Sequence, residues 1–191
     1  MAMEIAQHHG FLSAEECASI IEMASQHFVK ATVVGPTSEG YHPGRVAESA
    51  WLPQDHELSI TIKQRISDLL DLPVSHMEQI SVVRYHEHGE YQPHVDWFDP
   101  ADPSFMACTL FGGQRSHSVL MYLDTGYEGG QTAFPELGLV IEPELGKMIV
   151  WPSRDEDGEL SQLSLHAGLP VTSGVKHIAI VWVRELKYWG D

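Results

Sequence analysis

His94 and Asp96 stand two residues apart, and His166 offers a second imidazole far downstream. Two imidazoles and one carboxylate form a donor set that suits non-haem iron(II) and leaves coordination positions open for a co-substrate and O2. Residues i and i+2 of a strand face one side, so a strand over 94–98 would present His94 and Asp96 to a single ion. One such pair arises readily in a chain with 12 His and 27 Asp+Glu. The distant third donor gives the pair its meaning, and Lys176 and Trp182 follow it closely enough to share its surroundings.

Other histidines compete and fit less well. His86 and His88 form a second His-x-His pair, but Glu90 comes too early to complete the cupin arrangement. Glu90 also occupies the place where a His-Glu-x-x-His zinc site needs its second histidine. Neither this pair nor His8 and His9 is assigned a ligand role.

The elements that must position these groups are legible in outline. Ser13-Ala-Glu-Glu16 reads as a capping box, and the apolar spacing after it predicts a helix over 14–26. Leu58, Ile62, Ile66 and Leu70 predict a second helix over 55–70, which Pro73 stops. Residues 28–34 read as a first strand. Short β runs follow from Gln79: 80–85, 94–98, 118–123, 131–134, 139–142, 147–151, 163–166 and 177–182. Strands this closely spaced after two helices predict a mainly β fold with flanking helices, a jelly-roll core. A single domain is expected over 1–191, with helical support over about 13–72 and the core over about 78–187. The segments Gly35–Ala50 and Asp99–Gly113 have no periodicity and read as loops bordering the mouth, candidate lids.

Composition narrows the function classes. Against 27 Asp+Glu stand 11 Lys+Arg, a formal charge of −16, which disfavours nucleic acid and anionic membranes as partners. No apolar run approaches the roughly 20 residues needed to cross a bilayer. The two cysteines, Cys17 in the first helix and Cys108 in a loop, show no secreted disulfide pattern. A cytoplasmic protein is expected.

Tyr85-His-Glu-His-Gly89-Glu-Tyr91-Gln-Pro-His94-Val-Asp96-Trp97-Phe98 resembles the signature of the prolyl 4-hydroxylases, a family of 2-oxoglutarate/Fe(II)-dependent oxygenases. The resemblance continues in order through Gly113-Gln-Arg115, Glu128 to Pro135, Ser164-Leu-His166-Ala-Gly168 and Gly174-Val-Lys176 to Trp182. It implies that His94, Asp96 and His166 hold Fe(II). It further implies that Lys176, ten residues beyond His166, pairs with the far carboxylate of 2-oxoglutarate, with Tyr85 and Thr132 adding hydroxyl donors. Trp182 would wall the pocket, and Tyr91 and Arg115 would meet the substrate. The implied reaction uses O2, with ascorbate as a candidate accessory, and yields succinate, CO2 and a hydroxylated product. Retention of Asp96 argues against halogenation, since halogenases of this superfamily lack that carboxylate. The expected substrate is a prolyl residue of a peptide or protein; the alternatives are a free amino acid or other small molecule, or a non-catalytic metal-binding module. The long 99–113 segment and Trp97 depart from the family pattern and bear on substrate choice rather than on iron chemistry.

Overall fold

The computed structural model describes residues 3–31 and 44–189. In chain order these form β1 (Ala6–His8), α1 (Ala14–Ala24), β2 (Val29–Lys30), β3 (Glu48–Trp51), α2 (Glu57–Leu70), β4 (Ser81–Tyr85), β5 (Tyr91–His94), α3 (Phe105–Thr109) and β6 (Arg115–Tyr122). Then come β7 (Glu128–Gly129), β8 (Thr132–Phe134), β9 (Leu139–Ile141), β10 (Met148–Pro152), β11 (His166–Gly168), β12 (Val171–Ser173) and β13 (Lys176–Arg184). A large sheet runs in the order β1-β10-β6-β13-β4-β3-β2 and a smaller one in the order β5-β11-β8-β9, while β12 pairs with β7. The pairings within these sheets are antiparallel. The result is the expected mainly β jelly-roll with helices outside.

Alternation along the central strands builds two cores from one sheet. Val82, Val119, Met121, Ala179 and Val181 face Cys17, Ile20, Ile62 and Ile66 of α1 and α2. Their chain neighbours Val83, Leu120, Tyr122, Ile178, Ile180 and Trp182 face inward with Phe134, Ile141 and Trp151. Successive side chains of a strand point to opposite faces, so strands buried on both sides read as continuous apolar runs. The helices therefore stiffen the sheet whose other face carries the site.

Helix α1 starts as its sequence implies: the Glu16 N–H donates to Ser13 Oγ at 3.2 Å while Glu16 Oε2 accepts from the Ser13 N–H at 2.9 Å. Several expectations need correction. The strand expected over 94–98 is instead β5, which ends at His94, and residues 163–166 enter β11 through a 3-10 turn at Gln162–Ser164. Strand β1 was not foreseen, because Gln7 and His8 sit on an edge without an apolar pattern. Of the loop expected over 35–50, residues 35–43 lie outside the described residues, whereas Glu48–Trp51 is strand β3. Residues 32–34 of the expected first strand also lie outside them; the described part pairs with β3 at Val29 and Lys30. Within 99–113 the chain forms α3, which carries Cys108. Among the described residues, no helix is long and apolar enough to cross a membrane.

The N-terminal region is fastened to the sheet at Gly146, whose carbonyl accepts from the Leu12 N–H at 3.0 Å. Gly146 has φ +73°, and a Cβ there would lie 2.0 Å from the Leu12 carbonyl oxygen. Gly146→Ala is expected to destabilise the fold by more than ~1 kcal/mol, read as a lowered urea midpoint. An unchanged midpoint would contradict this packing.

Candidate metal centre and co-substrate cavity

Strand pairing brings the two imidazoles together. His166, the first residue of β11, is the cross-strand partner of His94, the last of β5, and their ring centroids lie 4.2 Å apart. Asp96 lies in the bend beyond β5, so the turn of the chain, not strand alternation, brings its carboxylate round. Its Oδ1 is 3.9 Å from His94 Nε2 and its Oδ2 is 3.6 Å from His166 Nε2. One ligand atom from each of the three lies within 4.8 Å of the others. These separations exceed hydrogen-bond lengths and suit donors arranged around an ion.

The surroundings hold each donor in the state a metal needs. His94 Nδ1 lies 2.8 Å from the Gln92 carbonyl and His166 Nδ1 lies 2.9 Å from the Ser164 carbonyl. With Nδ1–H donating to a carbonyl, each Nε2 presents its lone pair to the site. Burial, reinforced by neighbouring His166, lowers His94 well below the usual imidazole range and favours its neutral form. Burial alone would raise Asp96, but His166, His94 and Arg115 nearby and the Ser118 hydroxyl hold it below the usual carboxylate range. Ser118 Oγ donates to Asp96 Oδ2, Tyr91 stacks on His94 with centroids 3.5 Å apart, and Trp151 meets His166 edge-on at 4.7 Å. Two imidazole nitrogens and an ionised carboxylate fit Fe(II), and the same cavity that they line leaves room for further ligands.

That cavity, of about 310 Å³, also gathers Lys176, Tyr85, Thr132 and Trp182. Lys176 opens β13 opposite Tyr85 and is only 2% exposed. Its Nζ donates to the Gly130 carbonyl at 2.6 Å and lies 5.1 and 5.9 Å from the ring centroids of Tyr85 and Tyr122. Among the described residues no carboxylate lies within ion-pair range of this ammonium. Burial lowers it to about 8, with Asp124 opposing the shift. Gly130 makes the fit possible: with φ +66°, it leaves space where a Cβ would lie 2.9 Å from Lys176 Cδ. Tyr122 donates to Thr132 Oγ1 at 2.7 Å, which leaves the Thr132 hydroxyl hydrogen for another acceptor. Burial raises Tyr122 and keeps it a donor. A dianionic carboxylate ligand therefore finds one fixed cation and oriented hydroxyls.

Tyr91 lies against this cavity, and so does Arg115. The Arg115 guanidinium is engaged inside the protein, with Nε and Nη2 on Glu78 at 2.8 and 3.0 Å and Nη1 on the Asp96 carbonyl at 3.3 Å. Four participants were not singled out from sequence. Ser118, Tyr122 and Glu78 act through contacts formed only by folding, and Arg45 falls within the 35–50 segment whose sequence reads as a loop. Arg45 hydrogen-bonds Tyr85 and lies 4.8 Å over the Tyr91 ring; its backbone bridge to Tyr91 places it there. His86 instead contacts Glu48 at 2.9 Å, and no second group of three potential ligands gathers among the described residues. From the 99–113 segment, Asp99, Asp102, Ser104 and Phe105 reach the cavity, while Met106, Leu110 and Phe111 are exposed.

Comparison with known proteins follows the same lines. Residues 80–184 match the model of the 2OG-Fe(II) oxygenase superfamily. The chain is 35% identical over 204 residues to probable prolyl 4-hydroxylase 10 of Arabidopsis thaliana, covering 95% of this chain and 68% of the plant protein. It is 31% identical over 185 residues to prolyl 4-hydroxylase subunit alpha-1 of Homo sapiens, covering 95% of this chain but 34% of the human one. Its fold is similar to the crystal structure of a viral collagen prolyl hydroxylase from Paramecium bursaria Chlorella virus-1 in its 2OG complex. That match has a TM-score of 0.73 and 30% identity, and covers 94% of this chain and 95% of the viral one.

His94→Ala and Asp96→Ala are expected to abolish 2-oxoglutarate turnover while the circular dichroism of the fold persists; normal succinate release by either would refute the ligand set. Ser118→Ala keeps all three ligands but frees the carboxylate, so Mn(II) affinity should fall by about tenfold or more, measured by titration calorimetry.

Proposed function

Because the chain belongs to the 2OG-Fe(II) oxygenase superfamily, we propose that it hydroxylates a prolyl residue of a peptide or protein, with 2-oxoglutarate converted to succinate and CO2. The observation that carries the choice of substrate is the likeness, along nearly the whole chain, to relatives named as prolyl 4-hydroxylases. The cavity supports it: Tyr91, Trp97, Phe98 and Trp182 line it beside the metal donors, and aromatic walls of this kind suit proline-rich segments.

Fe(II), 2-oxoglutarate and O2 supply the oxidising power when bound. The chain supplies positioning. His94, Asp96 and His166 would hold the metal on one side, leaving the remaining positions toward the cavity. Lys176 would neutralise the far carboxylate of 2-oxoglutarate, while Thr132, oriented by Tyr122, and Tyr85 donate hydrogen bonds to it. Trp182 and Tyr91 would limit the room beside the metal and exclude water from it. We extend the reading to ascorbate as an accessory reductant. We also place the protein in a reducing, cytoplasmic setting, a reading supported by its two free cysteines.

Lys176 binds a carboxylate best while protonated. Its value of about 8 means that affinity for 2-oxoglutarate is full below that pH and declines as pH rises through it. Anaerobic titration with Mn(II) present should show this decline. Lys176→Met should bind 2-oxoglutarate roughly 30-fold or more weakly, from ~2–5 kcal/mol for a truncated buried charge pair, and lose the pH dependence. Unchanged affinity in the variant would remove Lys176 from this role.

A panel of proline-containing peptides and free amino acids, screened for a one-oxygen mass increase, tests the substrate. Hydroxylation of prolyl peptides is expected; modification of a free amino acid with no peptide product would overturn the proposal.

A further inference from the structure

Four buried charges run in series from the metal site: Asp96, Arg115, Glu78 and Arg184. Arg115, the first residue of β6, and Arg184, the last of β13, are cross-strand partners, where two like charges would repel each other. Glu78 resolves the conflict by accepting from both. Its Oε1 takes Arg115 Nε at 2.8 Å and Arg184 Nε at 2.6 Å, and its Oε2 takes Arg115 Nη2 at 3.0 Å. The backbone of Glu78 is itself fixed, its N–H donating to the Trp182 carbonyl at 2.8 Å.

The two guanidiniums use their remaining donors in different places. Arg115 Nη1 reaches the Asp96 carbonyl at 3.3 Å. Arg184 Nη1 reaches the carbonyls of Cys108 at 3.0 Å and Gly113 at 2.6 Å, on and just beyond α3. The segment between is also closed at its neck. The Gln114 side chain accepts from the Phe98 N–H and donates to the Phe98 carbonyl, both at 2.8 Å. The Phe98 ring lies 4.9 Å from the Arg115 guanidinium and 4.8 Å from that of Arg184. Gly112 leaves the space this arrangement needs, since a Cβ there would lie 2.9 Å from Arg184 Cγ.

We propose that Glu78 is a positioning residue that couples the seating of the 98–113 segment at the cavity mouth to the geometry of the metal ligand Asp96. Through Arg184 it holds the segment; through Arg115 it holds the bend that carries the carboxylate. A change at the mouth is thereby felt at the metal, and metal binding orders the mouth. The inference rests on the assignment of His94, Asp96 and His166 as the metal site.

Co(II) alone is the probe, with its dissociation constant measured by calorimetry and amide hydrogen exchange followed by mass spectrometry over peptides spanning 99–113. In the wild-type chain Co(II) is expected to slow exchange in this segment. Arg184→Lys keeps the charge beside Glu78 but cannot reach both carbonyls. It should lose the slowing and, because the coupling is reciprocal, bind Co(II) more weakly than wild type. Glu78→Gln should weaken Co(II) binding by about tenfold or more, the range for groups that orient metal ligands. Should Glu78→Gln fail to fold, Arg115→Lys takes its place, with the same loss of affinity expected. Slowing retained in Arg184→Lys, or wild-type affinity in Glu78→Gln or its substitute, would overturn the coupling. Wild-type protein that binds Co(II) without slowing would overturn it too. Absence of Co(II) binding by wild-type protein would refute the metal site itself, a separate failure.

Discussion

The register between β5 and β11 is the constraint on which the centre depends. With His166 opposite His94, both rings meet across one gap, and each is steered by the carbonyl two residues before it. A slip of one residue would turn every side chain of a strand to its other face and part the two donors. The register has support on both sides. On the outer edge of β5, the Val46 N–H donates to the Glu90 carbonyl at 2.9 Å and the Gln92 N–H to the Gly44 carbonyl at 2.8 Å. On the other side β11 pairs with β8 at Ala167 and Gly168, so the ligands stand on paired strands rather than on a free loop.

Charge is distributed in a way that follows from this centre. Arg45, Lys63, Arg115, Lys147, Lys176 and Arg184 are buried, in a protein whose 11 basic residues are outnumbered by 27 acidic ones. Burying a cation is costly unless it is paired or hydrogen-bonded. Arg115 and Arg184 meet that demand through Glu78. Among the described residues Lys176 has a carbonyl and two ring faces but no carboxylate, and the co-substrate would supply that anion. Lys63 is a different case: it lies 5.2 Å from the Trp189 ring centroid, and burial lowers it to about 8 against the opposing pull of Glu78. It is packed beneath the C-terminal segment, away from the cavity.

Local signals in the sequence predicted the local features. The Ser13–Glu16 box, the α2 stripe and the apolar runs of β4, β6, β10 and β13 follow from capping and periodicity. Strand β3 escaped because Glu48-Ser-Ala-Trp51 has little strand propensity of its own and forms by pairing with β4. The three donors are visible as residue types, yet strand alternation alone does not bring them together, since Asp96 lies beyond the strand. What stayed hidden was the support around them. Ser118 is 22 residues from Asp96, and Glu78 is 37 and 106 residues from its two arginines. No spacing rule connects such pairs; only the folded sheet does.

The central claim is that one cavity places a metal on His94, Asp96 and His166 and a carboxylate on Lys176. An anaerobic crystal structure with Mn(II) and 2-oxoglutarate tests it most directly. The account predicts a single metal within bonding distance of the two Nε2 atoms and the Asp96 carboxylate, and the far carboxylate of 2-oxoglutarate against Lys176 Nζ. Metal bound elsewhere, or 2-oxoglutarate anchored on Arg45 with Lys176 left on the Gly130 carbonyl alone, would contradict it.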